Sequence, residues 1–214
     1  MAAQTVALGS DASVDVAEVE SALAQSRAWP GARAAVSRAR HRLLVTDLMS
    51  SFLPAPIRLE VFQKVLLAVV RALSPVAISW GPANSLVDPS VFLAAMASPE
   101  PQERAIVALN VRLFQVGDRD GECVMDTLGL GALMLPDLQI HFTDLDPNDV
   151  ARHLFNTALY VLEKGDVLAE GNTIRGLDDD QKWLCAREES IAGPKRVVVD
   201  FDPGPPFSAG NRER

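Results

Sequence analysis

The chain has 214 residues, 48% of them hydrophobic and 22% charged, with a formal net charge of −8. That balance suits a folded protein with a real core, and the negative charge repels phosphate backbones, which argues against nucleic-acid binding. No stretch approaches the ~18 consecutive apolar residues of a membrane span, and two cysteines, Cys123 and Cys185, make no disulfide framework, so a reduced cytoplasmic setting is expected.

Residues 1–12 are small and polar, have neither the basic start nor the long apolar run of a secretory signal, and are expected to be loose. Residues 15–28 read as a short helix with Val16, Val19 and Leu23 on one side, broken by Trp29-Pro30-Gly31. Residues 32–39 read as one or two helical turns. Residues 41–48, a short apolar run rich in strand formers, read as a buried strand. A proline-marked connection leads to the strongest helix of the N-terminal half, residues 57–73, with Phe62, Val65, Leu66, Val69 and Leu73 in one stripe. Residues 76–80 read as a short strand. Asp88-Pro89 opens another helix through Met96, and residues 98–103 read as a linker. Residues 105–116 read as a long strand, 117–121 as a turn and 122–128 as the returning strand of a hairpin.

The most legible stretch is residues 135–165, read as a strand, a sharp corner and a helix. Asp146 is placed to cap the helix, Pro147 takes its first position, and Val150, Leu154, Ala158, Val161 and Leu162 follow at helical spacing up to Gly165. His141 is expected on an exposed strand face and His153 beside the apolar stripe. A polar loop over residues 165–180, strands at 182–187 and 196–202, and a disordered or draped tail from 203 complete the chain. Thr-Asp-Leu follows a strand at both 46–48 and 143–145, each time ahead of a long helix. The expected class is therefore α+β, an antiparallel sheet with packed helices, arranged as two interlocked ferredoxin-like halves. The corresponding domains are an N-terminal helical segment over 1–39, an α+β domain over 40–202 with halves near 40–100 and 101–202, and a flexible tail over 203–214.

Catalytic chemistry is mostly missing. Gly129-Leu-Gly131 begins like a dinucleotide fingerprint, but Met134 stands where the third glycine belongs. There is no Gly-x-Ser-x-Gly elbow. The histidines and cysteines are dispersed rather than set at zinc-ligand spacing. No catalytic residue, metal or cofactor is assigned.

Several segments do carry a resemblance. Residues 40–46 (Arg-His-Arg-Leu-Leu-Val-Thr), 76–81 (Val-Ala-Ile-Ser-Trp-Gly), 127–137 (Thr-Leu-Gly-Leu-Gly-Ala-Leu-Met-Leu-Pro-Asp), 155–160 (Phe-Asn-Thr-Ala-Leu-Tyr) and 171–176 (Gly-Asn-Thr-Ile-Arg-Gly) resemble the bacterial domain-of-unknown-function family four-two-six-one. The resemblance implies no activity, cofactor or site residue, and it favours a cytoplasmic bacterial protein.

Charge placement then decides the functional expectation. Residues 1–40 and 41–100 each balance four acids with four bases, whereas residues 101–214 carry twenty acids and twelve bases. The expectation is a non-enzymatic protein-binding module, of the immunity or adaptor kind. Its acidic C-terminal half would present one continuous exterior face to a basic toxin or effector, without nucleic-acid or membrane contact. Asp144, Asp146, Asp178, Asp179, Asp180 and Trp183 are the candidate contact residues. The rival expectation is a small-molecule-binding domain or enzyme with a pocket near Trp80, Asp137 and Tyr160. A third is self-association as a homodimer through an exposed sheet edge.

Overall fold

A computed structural model of the chain describes residues 4–11, 13–26, 28–116 and 121–210. They form an α+β fold that divides into two compact units, Met1–Asn110 and Val111–Arg214.

In the first unit, β1 (Gln4–Ser10) pairs antiparallel with β2 (Arg42–Leu48) as a two-stranded ribbon, with Leu8 opposite Leu44. Two expectations change here. Residues 4–10 are a strand rather than loose chain, and β2 is largely exposed rather than buried; positions 1–3 and 12 lie outside the described residues. An apolar run of strand formers fixes how the chain extends, not how many strands lie beside it. A ribbon of two strands has too few neighbours to cover both of its faces.

A 3-10 turn (Val16–Val19), α1 (Glu20–Gln25) and α2 (Ala32–Ser37) occupy the region read as helical, residue 27 lying outside the description. Ala22, Ala32, Val36 and Leu86 form a small core, against which Val19, Leu23 and Trp29 pack. Helix α3 (Ala55–Leu73) starts slightly before the expected position, because Pro56 fits its first turn, where no N–H is needed. It buries Leu59, Leu66 and Val70. Its one buried amide, Gln63, donates from Nε2 to the carbonyl of Arg104 at 2.7 Å. Strands β3 (Ile78–Trp80) and β4 (Ser85–Val87) pair antiparallel, and α4 (Pro89–Ala97) is capped by Asp88, which accepts from the Ser90 amide at 2.8 Å. A helix, α5 (Pro101–Ala105), replaces the expected linker: Pro101 opens the turn instead of breaking it.

The second unit is built on a six-stranded sheet. Its strands are β5 (Asn110–Gln115), β6 (Cys123–Leu128), β7 (Asp137–Phe142), β8 (Thr173–Arg175), β9 (Lys182–Glu189) and β10 (Val197–Asp202), in the order β5-β6-β7-β10-β9-β8. Residues 105–109, expected as strand, belong to α5 and the turn after it. Residues 117–120 of the expected hairpin turn lie outside the description, and β8 occupies part of the loop expected at 165–180. β7 and β10 run parallel, so the sheet is mixed rather than wholly antiparallel. The ferredoxin-like arrangement is not what forms. Such a half needs two helices on a four-stranded sheet. Among the described residues the first unit holds only two-stranded pairs, and the second has one long helix.

That helix, α6 (Pro147–Lys164), follows the sequence closely. Asp146 accepts from the Asn148 amide at 2.8 Å, and the Gly165 N–H closes on the Val161 carbonyl at 2.8 Å with φ of 87°, a conformation suited to glycine. Val150, Leu154, Ala158 and Val161 are fully buried. His153 of α6 meets Trp183 of β9 edge-on at 4.8 Å between centroids. Trp183 shares its sheet face with Cys185, and register extends that face to Phe201 and Ile140. The helix therefore covers the apolar face. The tail is draped rather than disordered as far as Gly210: the Thr143 amide donates to the Phe207 carbonyl at 2.9 Å, and the Ala209 amide to the His141 carbonyl at 3.3 Å. Residues 211–214 lie outside the description.

Candidate functional site

The other face of the sheet is polar, and it is buried all the same. Alternation along β7 puts Asp137, Gln139 and His141 on it. Register adds Asp126 opposite Gln139 on β6, and Asp200 beside Gln139 on β10. Relative exposures are 0% for Asp126 and Gln139, 1% for Asp200, 3% for Asp137 and 5% for Arg112. Charges so far from water need partners, and each has them. Arg112 on β5 grips Asp126 with Nε (2.8 Å) and Nη2. Arg196, just ahead of β10, donates from Nη2 to Asp126 (2.9 Å) and to the Thr127 carbonyl (2.9 Å). Its Nε donates to Asp137 (3.0 Å) and its Nη1 to the carbonyls of Ala192 and Pro194. Asp137 also accepts from the Leu130 amide at 3.2 Å, while Gln139 donates to Asp200 at 3.1 Å and accepts from the Ile191 amide at 2.7 Å. Burial pushes the Asp137 carboxyl up, against the pull of Arg196 and the Leu130 amide.

All five N–H donors of Arg196 are thus engaged, and a saturated guanidinium has none left for a ligand. The cluster is a cross-brace that ties β5, β6, β7 and the loop before β10.

Residues 126–202 match the family DUF4261. It is a domain of unknown function. The matched span includes three of the segments that carried the resemblance, at 127–137, 155–160 and 171–176, whereas those at 40–46 and 76–81 lie outside it. No curated protein matches the chain. The matched span supplies Asp126, Asp137, Gln139, Arg196 and Asp200 to the brace, and Arg112 comes from outside it.

The candidate residues fall into separate places. Trp80 is buried in the first unit, edge-to-face with Phe62 at 5.7 Å. Asp137 is committed to Arg196, and Tyr160 is half exposed on α6. Trp183 is wholly buried, so it is a core residue and not a surface anchor. His141, expected on an exposed face, is also buried: its Nε2 lies 2.7 Å from Glu122, and Gly210 closes over the ring so tightly that a Cβ there would stand 2.6 Å from Nδ1. Both cysteines are free, and burial pushes the Cys185 thiol up to about 11, which keeps it protonated and unreactive. Among the described residues no three His, Cys, Asp or Glu side chains gather as metal ligands, and no helix is long and apolar enough to cross a membrane.

The acid surplus does not make the continuous face expected of it. Glu122, Asp126, Asp137 and Asp200 are buried, while Asp149, Glu163, Asp166 and Glu189 pair with Arg152, Lys164, Arg187 and Lys195. The sequence count could not separate carboxylates folded inward from those left outside. Among the exposed ones that remain, five lie in two loops, Asp144 and Asp146 after β7, and Asp178, Asp179 and Asp180 before β9, while Glu103, Glu170 and Glu188 stand elsewhere. Register places both loops at the same end of the sheet, since Ile140, Phe201 and Cys185 lie level and β9 runs antiparallel to β10. Arg175, the partner of Asp179 at 2.9 Å, is itself exposed.

Beneath that end sits His153. No protein group among the described residues bonds its Nε2, and burial holds its pKa below the ordinary 6.5, with the Arg175 charge adding to the effect. A histidine depressed in the fold binds fewer protons there than in the unfolded chain, so stability rises with pH between the folded value and 6.5. Unfolding free energy is therefore expected to be level above 6.5 on this account and to fall as pH drops below it. Urea unfolding of wild type and His153→Phe across pH 5–8 reads this. The variant should lose that slope, and a slope equal to wild type rules the histidine out.

Proposed function

We propose that the second unit is a non-enzymatic protein-binding module that docks a basic partner, such as a toxin or effector, through the acidic end of its sheet. The observation that carries the reading is the convergence of Asp144, Asp146, Asp178, Asp179 and Asp180 on one end, all exposed, with Asp179 paired to the exposed Arg175. Two further features support it. In the polar cluster of the sheet, Arg196 has all five of its donors engaged within the protein, which favours a structural role for that group. The two acid loops lead directly into regular elements, α6 and β9. Charge complementarity of this sort acts mainly on association rate and partner choice, and it weakens with salt. An immunity or adaptor role in a cytoplasmic setting fits that chemistry.

The test is a pull-down from the native host at low and raised salt. Wild type is expected to retain a basic protein at low salt and release it at raised salt. A variant carrying Asp144→Asn, Asp178→Asn, Asp179→Asn and Asp180→Asn, with unchanged circular dichroism, is expected to retain none. If nothing basic is held at low salt, or the variant holds it equally well, the reading falls.

A further inference from the structure

The β1–β2 ribbon and the turn after it leave a run of apolar side chains in water. Leu8 is 58% exposed, Leu44 59% and Met49 64%, and Leu48 and Phe52 beside them are also exposed. The outer edge of β1 over residues 5–9 reads Thr-Val-Ala-Leu-Gly, without a charge or a proline, and no strand among the described residues pairs with it. Edge strands that stay single are normally blunted by charge, proline or a bulge. This one is not, and a ribbon of two strands is marginal by itself in water.

We infer that β1 pairs antiparallel with β1 of a second copy of this chain, about a two-fold axis at Ala7, to give a four-stranded sheet β2-β1-β1-β2. The occupant is a second copy because the edge is complementary to itself. In that register Ala7 faces Ala7, Thr5 faces Gly9, and Val6 faces Leu8 of the other copy. Val6 and Leu8 share a face, and the same face carries Leu44 and Thr46 across the existing ladder. The new pairs therefore continue one apolar stripe through all four strands. An uncharged edge meets no repulsion from its own copy, and it offers nothing to select a charged stranger. A strand joint alone is small against the roughly 800 Å² per partner of a standard interface. The neighbouring Leu44, Leu48, Met49 and Phe52 supply the further surface. A two-fold joint of this kind closes at two copies and leaves no β1 edge for a third.

Sedimentation and light scattering over a range of protein concentrations test it. Wild type is expected to shift from monomer to twice the monomer mass as concentration rises, with no larger species. Leu8→Lys, which sets two like charges against the joint, should stay monomeric with an unchanged circular dichroism spectrum. Ala7→Cys should form a disulfide-linked dimer on mild oxidation, because directly opposed residues lie within bridging distance. Val6→Cys, which faces Leu8 and not itself, should not. Wild type that stays monomeric at about 100 μM, a concentration at which a dimer of micromolar Kd would be mostly formed, overturns the inference. So does a dimer that survives Leu8→Lys, or equal cross-linking of Ala7→Cys and Val6→Cys. Cross-linking still reads the register if Leu8→Lys fails to fold.

Discussion

Replacing Asp126 with alanine is expected to lower unfolding free energy by about 3–5 kcal/mol, the range seen when one partner of a buried ion pair is removed. The cause is what stays behind. Arg112 loses both of its carboxylate contacts, and Arg196 loses one of its five, in surroundings where Arg112 is 5% exposed. Neither guanidinium can neutralise itself by losing a proton. Asp126→Asn keeps the shape and one acceptor, and should cost less. The energy belongs to the cluster, so a double mutant should be non-additive: Arg112→Met in the Asp126→Ala background is expected to cost less than in wild type, with a coupling of about 1–3 kcal/mol. Urea unfolding measures all four proteins. A loss below about 1 kcal/mol for Asp126→Ala, the level of an exposed pair, would show that the brace does not hold the sheet together. Binding through the acidic end would be untouched by that outcome, because none of its residues belongs to the brace.

The second large effect is expected at Trp183. Trp183→Ala should cost about 3–5 kcal/mol, as for other large aromatic truncations in a core. Its indole is wholly buried, stacks edge-on with His153, and lies so close to the backbone at Gly176 that a Cβ there would be 2.5 Å from Nε1. Trp183→Phe separates two contributions. Nε1 has no acceptor among the described residues, and a buried donor without one costs of order 1–3 kcal/mol. Phenylalanine removes that donor while keeping most of the ring. It should therefore cost clearly less than the alanine change, by more than its volume alone would account for. Equal losses for the two variants would mean that the indole N–H finds a partner and contributes to stability. Thermal or urea unfolding reads either result.

Local signals carried well where a short window contains its own physics. The Asp146 cap, Pro147, the apolar stripe and Gly165 define α6 within twenty residues, and each makes the contact its chemistry predicts. Asp88-Pro89 does the same for α4. The errors share a different cause. In β7, Asp-Leu-Gln-Ile-His-Phe alternates polar and apolar, and alternation ordinarily marks a strand with one wet face. Here the wet-looking face is dry, because Arg112 and Arg196, from distant parts of the chain, converge on Asp126 and Asp137. A polar residue in a strand shows only that it must be satisfied, by water or by a partner, and the sequence does not say which. The same ambiguity runs the other way in β2, whose leucines have the pattern of a core strand and stand in water.

The amino-acid sequence by itself determined the class of fold, the presence of its two long helices, the extent and cap of α6, and the sign of the net charge of the C-terminal half. Those properties follow from spacing, propensity and charge count, which act over a few residues or over none. Tertiary structure alone decided which carboxylates became a buried brace, which stayed on the surface at one end of the sheet, and which strand was left with a bare edge. Those outcomes depend on register between strands far apart in the chain, and register is fixed by the sum of many weak pairings rather than by any one motif.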